Sequence, residues 1–372
     1  MTDSSLAALR DRRFTAFRRC GRLLSGSRPL SLRERMATLA VEAETVGVDL
    51  DVRPDMYGDG VVRALEQRVA ELLGKPDAAF FPTGTMAQQI ALRYWADRTG
   101  SSVVAMHPLA HPERWERRAY QRLTGLSAVW PTKEPRLPTA DELLCCEERF
   151  GTLMLELPLR DAGFVLPSWE ELTAAVGAVE GVRVHLDGAR LWESVPHLGR
   201  SLPEIAALGD SVYVSFYKTL EGISGAALAG PEDFVREAKV WRHRYGGQLF
   251  QQWPAALSAL AGLERVLPEL PAYVAHAKVV AAALVRAPGA RVVPEVPHTH
   301  QFQLWLPYGA GELNEATVRL AEEQGVGLFG LWIDGPVPGC ALTEVTVAAE
   351  ALEWTAEEIE EALADLLALL GK

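Results

Sequence analysis

Cysteine is scarce. Cys20, Cys145, Cys146 and Cys340 are the only four in 372 residues. Cys145 and Cys146 are adjacent, which is poor geometry for a bridge between them, and no Cys-x-x-Cys spacing points to zinc or redox chemistry. All four read as reduced and structural, and no metal site is expected. Long apolar runs are missing too: none approaches the ~20 residues that span a bilayer. No hydrophobic signal core follows Met1. A cytoplasmic protein with no membrane partner is the expectation.

Positive charge is in deficit, with 37 Lys and Arg against 49 Asp and Glu, a formal charge of -12. Most of such a surface repels nucleic acid, so no nucleic-acid partner is expected. The one basic concentration (Arg10, Arg12, Arg13, Arg18, Arg19, Arg22) could be a targeting or membrane-surface helix. It reads more simply as a solvated helix face or an arm packing on a partner subunit. Internal repeats and low-complexity segments are absent.

What is present is an ordinary globular composition, 48% hydrophobic and 23% charged, on a chain long enough for a large and a smaller domain. Residues 1–58 read as an N-terminal arm and helix ending in the turn-like run Arg53 to Gly60. Val62, Leu65, Val69, Leu72 and Leu73 then fall at helical spacing, stopped by Gly74 and Pro76. From there to residue 262, apolar β-type runs (78–81, 103–106, 152–157, 182–187, 211–216, 225–229) alternate with helical segments (84–97, 168–179, 231–244). That alternation predicts an α/β domain with a mainly parallel sheet. Residues 263–372 read as a smaller α+β domain, with helices through 271–287 and 313–324 and strands near 301–306, 326–333 and 341–347. Its last helix opens with a capping box, Thr355 with Glu358.

Three elements carry chemistry. Phe80-Phe81-Pro82-Thr83-Gly84-Thr85-Met86 takes a strand end into a Gly turn and then a helix, a place where free backbone N–H groups and the helix dipole favour a phosphate. Thr83 or Thr85 could equally be a simple N-cap. In Val182–Arg190 the carboxylate of Asp187 falls where a strand should end, the position where open α/β sheets bind ligands. An acid there can pair with a protonated heterocyclic nitrogen, although Asp-Gly is also a common turn. In Ser211–Gly222, Lys218 follows directly on an apolar run. Desolvation lowers a lysine's pKa and frees its amine to attack a carbonyl, while a lone lysine after a strand is usually at the surface.

The order of these elements, with 31 residues from Asp187 to Lys218, resembles the aspartate-aminotransferase fold, fold type I of the pyridoxal 5'-phosphate (PLP) enzymes. More narrowly, the segments look like the threonine aldolase and β-eliminating lyase family. Tyr57-Gly58-Asp59, Phe80–Met86, His111 with Glu116, His185-Leu186-Asp187-Gly188-Ala189-Arg190 and Tyr217–Leu220 carry the likeness, which runs through Trp241-Arg242 and Gly246-Gly247 over residues 55–265. The resemblance implies that Gly84 and Thr85 hold the phosphate, Asp187 pairs with the pyridine nitrogen and Lys218 carries the cofactor as a Schiff base. It further implies that His111 stacks on the ring and helps deprotonate a substrate hydroxyl. Arg190 would sit at the substrate carboxylate, and Tyr57 would reach the site from a neighbouring subunit. His107 competes with His111, Arg190 could be a structural ion-pair residue, and Tyr57 could simply pack at a turn. A homodimer or homotetramer acting on a small amino acid is implied as well.

The likeness fails in places. The family's Gly-Gly-Gly-Met-Arg-Gln reads Gly246-Gly247-Gln248-Leu249-Phe250-Gln251, without the Arg. The Lys that often follows Trp-Arg is His243, which could still meet the phosphate. Arg22-Leu23-Leu24-Ser25 stands for Arg-Ser-Asp-Thr, and Leu342-Thr343-Glu344-Val345-Thr346 lacks the Arg that normally takes the substrate carboxylate. Arg242, Arg244 or an N-terminal Arg are candidate replacements. The leading expectation is a PLP-dependent lyase cleaving a β-hydroxy-α-amino acid to glycine and an aldehyde. β-Elimination from a Ser- or Cys-like amino acid is the alternative, followed by transamination or racemisation and by a non-catalytic PLP-binding relative.

Overall fold

The computed structural model describes residues 3–371. The chain forms two compact units, one from residues 36–269 and one from the N-terminal residues to Arg35 together with Leu270 onward.

The larger unit is built on a seven-stranded sheet: β1 (Asp77–Phe81), β2 (Val103–Ala105), β3 (Ser127–Val129), β4 (Thr152–Glu156), β5 (Arg183–Gly188), β6 (Ser211–Ser215) and β7 (Ala226–Gly230). Their order across the sheet is β1-β7-β6-β5-β4-β2-β3. Every residue of β4, β6 and β7 is buried, as in sheets covered on both faces, which is why these strands read as unbroken apolar runs. Only β7 runs against the rest, pairing antiparallel with β6 and with β1. Two reversals cancel, so β1 points the same way as β6, β5 and β4. The carboxyl ends of these four strands therefore lie along one edge.

Helix α1 (Gly84–Thr99) follows β1 directly. Thr83 is its N-cap, accepting a hydrogen bond from the Met86 amide, and Gly100 closes it at φ 69°. Its Ala87, Ile90, Ala91, Tyr94 and Trp95 bury against Tyr213, Ala226 and Leu228 of the sheet. This settles which threonine caps the helix, and it leaves Gly84 and Thr85 as its first two residues.

Residues 36–58, expected within a separate arm, group with the larger unit. Leu39 and Ala43 pack on Leu257, and buried Asp55 accepts the amides of Gln252 and Trp253 at the start of the helix Trp253–Arg265. The boundary falls at Leu270, where a new helix begins, rather than at 263.

The smaller unit holds an antiparallel sheet of four strands, in spatial order Ile333–Asp334, Ala341–Thr346, Gln301–Leu306 and Arg291–Val293. The continuous strand expected over 326–333 breaks in two. The Asn314 side chain takes both backbone groups of Trp332, and Val326–Gly327 pairs in parallel with Arg22–Leu23 instead. The N-terminal basic run is answered within this unit: Arg12 meets Glu315 and Glu322, Arg18 meets Glu34, and Arg22 meets Glu358. Among the described residues no helix is long and apolar enough to cross a membrane. No group of three or more His, Cys, Asp or Glu in those residues could hold a metal ion.

Candidate active site

The common strand edge of the larger unit gathers ionisable groups. Asp187 is the last residue but one of β5, and its register partners are Glu156 on β4 and Tyr213 on β6. All three side chains are buried. Burial and the adjoining Asp187 carboxylate push the Glu156 carboxyl up to about 7. Burial also raises Asp187, opposed by the charges of Lys218 and His111. Its Oδ1 accepts the Ala189 amide, while the buried Oδ2 has no hydrogen-bond partner among the described residues. An orphaned buried carboxylate oxygen calls for a cationic or N–H donor from outside the chain.

Lys218 stands in the turn between β6 and β7. Burial, then the Arg190 guanidinium, bring its amine down to about 8, while Asp187 and Glu156 pull the other way and Arg160 adds to the lowering. Local bonds fix the turn: Trp192 Nε1 donates to the Ser215 carbonyl, Thr219 Oγ1 to the buried Glu193, and the Gly222 amide to the Phe216 carbonyl.

His111 opens a short helix (His111–Arg114). Its Nδ1 lies 2.9 Å from Glu116 Oε1, and Gln89 Nε2 donates to the other oxygen of that buried carboxylate. A carboxylate only accepts, so Nδ1 carries a proton towards Glu116, and in the neutral imidazole Nε2 is the ring nitrogen with the free lone pair. The rival histidine has both ring nitrogens engaged by the backbone. His107 is buried, with Nε2 on the Glu134 carbonyl and Nδ1 accepting the Leu109 amide.

The Gly84 turn abuts this cluster. A Cβ at Gly84 would collide with the hydroxyl of Tyr213, the neighbour of Asp187. The turn thus lies close on Tyr213 at the N-terminus of α1, a place that suits an anion. A helix N-terminus, an orphaned acid and a desolvated lysine together fit PLP. The donors required are present at one strand edge.

Other expected residues fall elsewhere. Tyr57 and His243 are exposed, and both are tied to Gln248: His243 Nδ1 approaches its Oε1, and its Nε2 donates to the Tyr57 carbonyl. The turn carrying Gln248 packs Gly247 on Met86, beyond Thr85. Arg242 is no spare guanidinium, because it is buried on Glu66 and the Phe80 carbonyl. Arg244 is exposed, beside Glu237 and over the Trp241 ring. Thr343 donates to the Leu331 carbonyl. The guanidiniums that Lys218 senses are Arg190 and Arg160. Glu156, Arg160 and Tyr213 are marked by none of the motifs. Glu156 had the same signal as Asp187, an acid closing an apolar strand.

Comparison with known proteins agrees with this geometry. The beta-eliminating lyase family model matches residues 31–304. A solved structure of a candidate L-allo-threonine aldolase from Listeria monocytogenes superimposes with a TM-score of 0.88 at 36% identity, covering 97% of this chain and 100% of that one. Low-specificity L-threonine aldolase 1 of Arabidopsis thaliana is 26% identical over 80% of this chain and 83% of its own. An uncharacterized Caenorhabditis elegans protein, R102.4, is 28% identical over 63% of this chain, and the match spans only 59% of that relative's length. The architecture is that of the PLP-dependent fold type I enzymes, and the chain belongs to the beta-eliminating lyase family.

Proposed function

We propose that this chain is a PLP-dependent lyase of the threonine aldolase type, cleaving a β-hydroxy-α-amino acid to glycine and an aldehyde. The observation that carries the reading is the His111–Glu116 pair, which orients the imidazole so that Nε2 of its neutral form is the proton acceptor. When bound, PLP supplies the reactive aldehyde and the electron-withdrawing pyridinium that accept the electron pair of the broken Cα–Cβ bond. Lys218 would hold the cofactor covalently, its free amine being largely uncharged above about pH 8 and so able to attack the aldehyde. Asp187 Oδ2 would accept a hydrogen bond from the pyridinium N–H and so keep that nitrogen protonated. Gly84 and Thr85 would offer backbone donors to the phosphate, and His243, in the last turn of the helix Glu232–Arg244 and tied to Gln248, would add a further donor.

His111 Nε2 takes the proton of the β-hydroxyl, and Glu116 stabilises the imidazolium that results. Arg190 pairs with the substrate carboxylate, where a planar guanidinium suits two parallel bonds. The relatives named as threonine aldolases support a small amino-acid substrate. Exposed Tyr57 suits a role across the interface of a homodimer or homotetramer. Free thiols at all four cysteines suit the reducing cytoplasm.

β-Elimination is the second reading, favoured by the depressed pKa of Lys218, which makes this amine a competent base for the α-proton. Purified protein loaded with PLP should show the band of the lysine-linked cofactor near ~420 nm, absent in Lys218→Ala. β-Hydroxy amino acids should then release aldehyde, and His111→Asn should slow that release by about 10²- to 10⁴-fold. Pyruvate and ammonia in place of aldehyde would move the assignment to elimination. A band that no amino acid shifts would leave a non-catalytic PLP-binding protein.

A further inference from the structure

The buried acid at the end of β4 has no step of its own in the chemistry above, yet it touches the element that carries His111 and the one that carries Arg160, whose charge bears on Lys218. Glu156 Oε2 accepts the backbone amide of His111 at 2.7 Å, and Oε1 accepts that of Arg160 at 3.1 Å. His111 is the first residue of its helix and Arg160 the first of a 3₁₀ turn (Arg160–Ala162). One carboxylate therefore fixes where both elements leave the sheet. Its Cα lies in register with that of Asp187, and the Leu157 amide bonds to the Asp187 carbonyl. The imidazole has a second anchor, Glu116, which is held by Gln89 of α1. His111 is thus tied by its backbone to β4 and by its ring to the helix that begins at Gly84.

We propose that Glu156 is a positioning residue for the reaction, clamping the His111 and Arg160 backbones to the sheet in register with Asp187. Two separate strand-following elements cannot hold an imidazole to within a fraction of an ångström by packing alone, and a misplacement of about 1 Å can cost about 10²-fold in rate. A short charge-assisted bond to a backbone amide supplies the needed stiffness. Gln at this position keeps the size and one accepting oxygen, but its amide group presents a donor to the second N–H.

The proposal rests on the aldol-cleavage reading for its kinetic consequence, so the test has two arms. In PLP-loaded Glu156→Gln, kcat for aldehyde release should fall about 10- to 100-fold, while KM and the PLP dissociation constant stay within about threefold. The downfield Nδ1–H resonance of His111, read from holoenzyme carrying isotope-labelled histidine and assigned by its loss in His111→Asn, should shift or broaden. Glu156→Asp, one methylene shorter, should fall between Gln and wild type, and it replaces Gln in the comparison if that variant fails to fold. An unmoved resonance with kcat within about twofold of wild type overturns the proposal. A wild-type enzyme that releases no aldehyde sinks the functional reading instead, and the resonance still decides whether Glu156 sets the imidazole.

Discussion

At the scale of single residues, the decisive facts concern protons. Only a neutral amine attacks an aldehyde, and Lys218 loses its proton near pH 8 rather than at its ordinary 10.5. The capture of added PLP by the apoprotein, followed by absorbance in a stopped flow, should climb with pH and level off just above 8. A rate that keeps rising through 10.5 would show an ordinary, solvated lysine. Asp187 and Lys218 were legible in the sequence because each ends an apolar run and because their spacing matches a known family. Glu156 ends the same kind of run, but the motifs pass over it. What marks it is the register between parallel strands, which no local pattern encodes.

At the scale of elements, apolar runs of five or six residues foretold most of the central sheet, since burial on both faces leaves little room for polar residues. The stretch from His107 to Leu144 was opaque by comparison. Its helices and its one strand are three to six residues long, too short for a period to show. One of these pieces is held by electrostatics that can be measured. In the helix Ala140–Leu144, Glu142 closes a capping box with Thr139 while binding Arg136 and Thr132. The Arg136 bond, ahead of those to Thr139 and Thr132, holds its carboxyl down at about 2, against an ordinary 4.5. A depressed carboxyl stabilises the fold fully above its unfolded value and loses that contribution as pH falls through the folded one. Glu142→Gln should therefore cost about 1 kcal/mol at neutral pH. The gap in thermal midpoint should close between pH 4.5 and about 2; a gap of constant size would assign the loss to shape instead.

For the molecule as a whole, the sequence pattern changes at about residue 263, near the start of the second unit's larger segment at Leu270, but it does not show the company the N-terminus keeps. The parallel pairing of Arg22–Leu23 with Val326–Gly327 joins segments from opposite ends of the chain, and two-residue strands leave no signal. The larger unit also carries apolar side chains in the open. Leu50 and Val52 line a cavity of about 400 Å³ with Trp253, while Tyr57 and Phe250 stack edge to face beside it. Leu50, Val52, Tyr57 and Phe250 are each more than half exposed. Exposed apolar surface of this kind is characteristic of an association site. Size-exclusion chromatography with light scattering should give at least twice the chain mass, and Phe250→Glu should shift the population towards monomer. A monodisperse monomer in the wild type would remove the interface role proposed for Tyr57.

The one reversed strand has a consequence in time. β1 has a single neighbour in the sheet, β7, and Phe81 is paired with Ala226. During translation the segment bearing Gly84 leaves the ribosome early, yet it has no strand to lie against until Ala226–Gly230 has followed it out. The β6–β7 turn that presents Lys218 emerges within the same short interval. β1, the first of the seven strands to be made, thus stays unpaired in the sheet until the last of them has been made.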